Sequence, residues 1–158
     1  MTKVSLSSTP AARRISQHLV VTVVLSGAAP AAITAHGQDS GSHIALAAGS
    51  VAIWLQDQDA VNTYTDAWLD GVAAETHRFL PPYRPTDAPV SADYFPGLAI
   101  TARGSDYRHA IYDPRIQELS IRVGYVTWII RDRAAYDALA LAWGRVRLLS
   151  PLVFPDHC

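Results

Sequence analysis

The stretch GSVAIWLQDQDA, Gly49 to Ala60, recurs as GYVTWIIRDRAA, Gly124 to Ala135. At this shift of 75, Gly49 meets Gly124, Val51 meets Val126, Leu55 meets Ile130 and Asp57 meets Asp132. The match extends downstream to Trp68 with Trp143, and upstream to Ile44, Leu46 and Ala48 with Leu119, Ile121 and Val123. Glycine, aspartate and tryptophan paired at one offset point to an internal duplication.

Each copy reads as strands followed by a helix. HIALAA and ELSIRV alternate as strands do, the glycine turns the chain, and SVAIWLQ or YVTWII returns. Asp57 and Asp132 then stand where a carboxylate can accept from the unpaired N–H groups that open a helix. Val61, Tyr64, Trp68 and Val72 follow at helical spacing, and Tyr136, Leu139 and Trp143 form the matching stripe. The second helix is expected to end near Val146 or Arg147 and the chain to leave it at Pro151. Trp68 and Trp143 are assigned to core packing.

A shorter repeat, AITAHG at Ala32–Gly37 and AITARG at Ala99–Gly104, is offset by 67 and reads as the same strand in both copies. The longer stretch SDYRHAIYDPRIQ then reads as an enlarged connection in the second copy, where the first has QDSGS. The expected fold is α+β: an antiparallel sheet plus one helix, duplicated, with the halves packed as one pseudo-twofold domain. A single unit of this size buries little apolar surface, so two packed units form the natural stable object. Residues 1–80 make the first half and 97–158 the second. Residues 81–96 connect them, with Pro81, Pro82, Pro85, Pro89 and Pro96 fixing φ and removing donors.

The 158 residues are 49% hydrophobic and 17% charged, which supports a packed core and not a disordered chain. Net charge is −1, which argues against tight non-specific binding to nucleic acid or to a membrane surface. Residues 1–80 hold 4 Lys and Arg against 6 Asp and Glu; residues 81–158 hold 9 against 8, so basic character sits in the second half. Arginine in place of lysine, with abundant alanine, is the composition of a GC-rich, bacterial coding genome. The one cysteine, Cys158, makes no internal disulfide.

The N-terminus has two readings. Lys3, Arg13 and Arg14, the apolar run HLVVTVVLSGAAPAAI and Ala29-Pro30-Ala31 have the parts of a secretory signal cut near Ala31. The run is too short, and too broken by Gly27 and Pro30, to span a bilayer. Its valines instead favour a buried strand, Leu19 to Leu25, forming a hairpin with AITAH, and a cytoplasmic chain.

No motif for chemistry emerges. The histidines show no helical i, i+4 pair, although His36 and His43 can meet across one hairpin. There is no Gly-x-Ser-x-Gly elbow and no phosphate loop. Asp66 and Asp70 share one helix face and read as solvated. No catalytic residue, metal ligand or cofactor is therefore assigned, and the chain is read as a small binding or regulatory accessory protein. Its candidate contacts are Arg103, Arg108 and Arg122 with Tyr107 and Tyr112, because arginine and tyrosine on an open sheet face can hold phosphates and stack bases. A protein partner engaged by the same face, in a scaffold module, is the alternative, and a homodimer is compatible with both. In its order of elements alone, the repeated strands-then-helix unit resembles the Whirly-type single-stranded-DNA-binding proteins. That resemblance covers the order of elements, transfers no residue and does not by itself fix a function.

Overall fold

The computed structural model describes residues 2–8, 19–28, 30–37, 41–85 and 97–155. The chain forms strands β1 (Thr2–Ser8), β2 (Leu19–Leu25), β3 (Ala31–His36), β4 (His43–Ala48) and β5 (Val51–Leu55). Helices α1 (Gln58–Leu69) and α2 (Gly71–Thr76) and a short 3-10 turn (His77–Phe79) follow. Then come β6 (Leu98–Ala102), β7 (Arg108–Asp113), β8 (Glu118–Val123), β9 (Val126–Ile130) and helix α3 (Arg133–Val153). The fold is α+β, with one sheet ordered β1-β2-β9-β8-β7 and the other β3-β4-β5-β6.

Local chemistry explains the elements read at the shift of 75. β4 with β5, and β8 with β9, form antiparallel hairpins whose odd or even residues alternate into the core. Gly49 and Gly124 turn them at φ 60° and 56°, where a side chain is strained. A Cβ at Gly49 would lie 2.6 Å from Thr2 Oγ1, and one at Gly124 would overlap the Asp106 carboxylate. Asp57 and Asp132 cap α1 and α3, accepting from Ala60 N at 2.8 Å and Ala135 N at 2.9 Å.

The pairing between the halves is not local. β2 runs parallel to β9, and β6 runs parallel to β5. The first half thus lends β1 and β2 to the second half's sheet and the second half lends β6 to the first half's, so both sheets are mixed, antiparallel within each meander and parallel at the junction. The backbone repeats the exchange: Val21 N donates to Tyr125 O and Arg131 N to Leu25 O, while Leu98 N donates to Ser50 O and Gln56 N to Ala102 O.

This arrangement corrects the reading of the shorter repeat. AITAHG lies in β3 and AITARG in β6, at opposite edges of one sheet. The strand that occupies the place of β6 is the valine-rich β2, with Val21 and Leu98 each opposite the first residue of the last strand in a meander. The place of β3 is taken by β7, so SDYRHAIYDPRIQ contains a strand where a connection was expected. Short Ala, Ile and Thr runs suit any strand position. His36 therefore does not take the place of Arg103. Nor does β2 form a hairpin with β3: its neighbours are β1 and β9, and Val21, Val23 and Leu25 enter the core.

Two helix ends also differ from expectation. α1 stops at Leu69, and Val72 is exposed at 42%, off the stripe. α3 passes through Pro151 to Val153. Ser150 Oγ donates to Arg147 O at 3.0 Å and so serves the carbonyl that the proline leaves without an N–H. Val153 and Phe154 then pack back into the core.

The core joins both sheets and both long helices. α1 lies on β7 and β8, and α3 lies on β3 and β4, so each helix covers the sheet built mainly by the other half. Between them Trp68 and Trp143, essentially fully buried, have ring centres 6.5 Å apart. Tyr64 stacks on Trp143 at 5.3 Å and meets Trp128 edge-on at 5.7 Å. Burial pushes the Tyr64 hydroxyl well above its ordinary pKa.

Candidate functional site

The cap aspartates do more than cap. Asp132 is buried and accepts from Gly27 N and Ser26 Oγ, both at 2.8 Å, besides its own helix. Asp57 accepts from Gly104 N at 2.8 Å. Each helix start therefore clamps the loop that leaves the strand lent by the opposite half. Cap spacing is visible in the sequence, but this second partner, far along the chain, is not.

The arginines and tyrosines proposed as contacts divide. Arg122 projects from the outer face of β8, opposite to the buried Leu119, Ile121 and Val123. Its guanidinium stands 5.8 Å from the Tyr107 ring, and its Nε donates to Gly124 O at 2.9 Å. Tyr107, 60% exposed, stacks at 6.2 Å on His109, the cross-strand neighbour of Arg122. These three form one exposed cluster. Arg108 instead donates to Asp66 at 2.8 Å, and Tyr112 donates its hydroxyl to Phe79 O at 3.1 Å. Arg103 is exposed beyond β6, in the other sheet. Other basic groups are matched by acids: Arg131 with Glu118 at 2.7 Å, and Arg115 with Asp113 at 3.0 Å. The hydrogen bonds from Arg115 hold the Asp113 carboxyl below its usual range. Asp66 and Asp70 are likewise not merely solvated, since Arg147 reaches both, at 3.1 and 2.9 Å.

The outer face of the four-stranded sheet is different in kind. One cross-strand row is Ala32, Ala47, Ala52 and Ala99, and the next is Thr34, Ala45, Trp54 and Thr101. His36 and His43 do meet across the β3–β4 hairpin, with ring centres 4.7 Å apart, and His43 stacks on Trp54 at 4.8 Å. The rings stack instead of converging on an ion. Among the described residues no group of three His, Cys, Asp or Glu is placed to hold a metal.

A third surface was not anticipated. On α3, Leu141, Arg145, Leu148 and Leu152 fall at i, i+4, i+7 and i+11 on the side away from the core. The three leucines are 60%, 79% and 80% exposed. Beside them a groove is lined by Ala31, Ile33, Arg145, Leu148 and Leu149. Its floor is β3, the outermost strand of its sheet, whose far edge has no neighbour among the described strands. The signal lay in the sequence as a second apolar stripe on one helix, offset from that of Trp143.

Comparison with protein-family models, with curated proteins and with solved structures finds no match. Among the described residues no helix is long and apolar enough to cross a membrane.

Proposed function

We propose that this chain is a small accessory protein that acts by binding, and that its partner is another polypeptide docked at the α3–β3 edge. One observation carries the reading: three leucines 60–80% exposed in a line on the helix that lies over β3, an edge strand with no Lys, Arg, Asp or Glu and no neighbour on its far side among the described strands. Surface leucines scattered singly are ordinary, whereas an aligned apolar set at a sheet edge marks an interaction surface. A photo-crosslinking residue in place of Leu148 tests it in the native host. A polypeptide adduct at 148, and none at Ser120 on the opposite sheet's outer face, is the expected result. Equal labelling at both positions, or none at either, overturns it.

A second reading rests on the Tyr107–His109–Arg122 cluster, which offers an exposed ring and a cation for a single-stranded base and its phosphate. Retention on single-stranded DNA at low salt, weakened by Arg122→Ala and by added salt, would support it. No retention at low salt removes it. Copying of one ancestral unit is part of the same view, supported by the glycines, caps and tryptophans that recur at one shift. So is a cytoplasmic chain that keeps residues 2–31, because β2 fills the centre of a core that cleavage near Ala31 would empty. An intact mass lacking those residues would contradict it.

A further inference from the structure

The two halves treat one position differently. At the shift of 75, Leu141, Leu148 and Leu152 correspond to Asp66, Ala73 and His77. In the first half the helix breaks after Leu69, and α2 lies across β7 with Ala73 fully buried. Phe79 then meets Tyr112, ring centres 5.9 Å apart, and Tyr112 bonds the Phe79 carbonyl. β7 is thus roofed by its own chain. α3 does not break. Among the described residues β3, in the place of β7, is covered by α3 alone, which leaves a groove along it beside leucines that face solvent.

We infer that a second copy of this chain roofs β3, joined to the first by antiparallel β3–β3 pairing about a twofold axis. The inference rests on the reading of the α3–β3 edge as a docking surface and names its occupant. Three features select a second copy. The first is charge. β1 carries Lys3 and β7 carries Arg108, His109 and Asp113, the guards usual on an edge, whereas both edges of the four-stranded sheet, β3 (AAITAH) and β6 (LAITA), have no Lys, Arg, Asp, Glu or Pro; of these two, β3 lies beside the leucine-lined groove. An uncharged edge tolerates its own image. Arg145, the one charge in the groove, is exposed and can lay its stem on the leucines with its head in water.

The second is register. Opposed residues in an antiparallel pair share a face, so a twofold axis must pass through a residue and not between two. With the axis through Ile33, Ile33 meets its own copy on the inner face beneath both α3 helices, and Ala32 meets Thr34 on the outer face. The third is size. Six strand residues extend about 20 Å and a 21-residue helix about 30 Å. Two layers of that length, each about 10 Å across, offer roughly 500 Å² per partner, below the roughly 800 Å² of a standard interface and the size of a weak dimer, which sets the micromolar range of the test. The result is a continuous eight-stranded sheet, four strands from each copy.

Sedimentation equilibrium on the full chain, from low to high micromolar concentration, tests the inference. Twice the monomer mass is expected, halved by Leu148→Asp with Leu152→Asp, whose exposed positions leave the circular dichroism unchanged, while Tm rises with concentration in the parent and not in the double variant. Amide exchange over residues 31–36 should slow with dimerisation in the parent and not in the double variant. A dimer that ignores the substitutions, or that leaves 31–36 unprotected, overturns the inference. A monomer throughout also overturns it. Crosslinking at 148 then separates the two readings: an adduct with a different polypeptide keeps the docking surface and discards the self-partner, and no adduct discards both.

Discussion

Asp57 and Asp132 hold the same post in the two halves, yet one is half-buried and the other almost fully enclosed. Both cap a helix, and both take an N–H from the loop after the exchanged strand. Asp132 adds the Ser26 hydroxyl. The difference shows how two halves of like topology let one cap become the tighter clasp while the other stays nearer to solvent. The same holds for the helices: one breaks to cover its groove, the other runs straight and leaves it open.

The tryptophan pair offers the largest test. Trp68→Ala and Trp143→Ala should each cost about 3–5 kcal/mol, and by similar amounts, since both indoles are enclosed and neither N–H has a hydrogen-bond partner among the described residues. Urea midpoints measure this, and a wide gap between the two would break the equivalence. The double variant should cost less than the sum, because the rings sit within one cluster.

The caps come next. Asp132→Ala should cost about 3 kcal/mol, losing the cap and leaving the buried Gly27 N–H unsatisfied, whereas Asp57→Ala should cost about 1–2 kcal/mol. A larger loss at Asp57 would reverse the comparison. Below these, Gly49→Ala and Gly124→Ala should each cost about 1–2 kcal/mol through the left-handed backbone, with the buried Gly124 the worse. Equal midpoints would say that the Asp106 carboxylate simply moves aside.

The smallest effect concerns alkali. Tyr136, where the first half has Val61, donates to Trp68 O at 2.5 Å. Burial first, and then Asp137 and Asp70, push its hydroxyl up to about 12. The folded chain then holds this proton longer than the unfolded chain, so the Tyr136 contribution is complete below pH ~10 and is lost as pH rises toward 12. Stability measured by urea at stepped pH should fall less steeply in this window for Tyr136→Phe. An unchanged slope would remove Tyr136 from the account.

Much of this frame is legible in the letters. The caps, the turn glycines, the four meander strands and the buried tryptophans all follow from spacing, because each is set by near neighbours. AITAHG and AITARG mislead for the opposite reason. What a strand of Ala, Ile and Thr pairs with is decided by tertiary fit, and six shared residues do not encode it. The parallel β2–β9 and β5–β6 junctions join segments far apart in sequence, and the outward leucines of α3 were masked by the stronger inward stripe. Of the proposed contacts, outward alternation located Arg122, while Arg108 and Tyr112 were claimed by Asp66 and by the Phe79 carbonyl, partners on other elements.

The exchange of strands also sets a clock. Val21 opposes Val126, so β2 waits for 105 further residues before its sheet exists. At synthesis rates of about 5–20 residues per second, that is roughly 5–20 s on the ribosome with a valine-rich edge uncovered. Until β9 is made, β1 is the one described strand that neighbours β2 in the sheet and can shield it. Shortening β1 should therefore show its cost first in the yield of soluble chain and only later in the stability of what has folded.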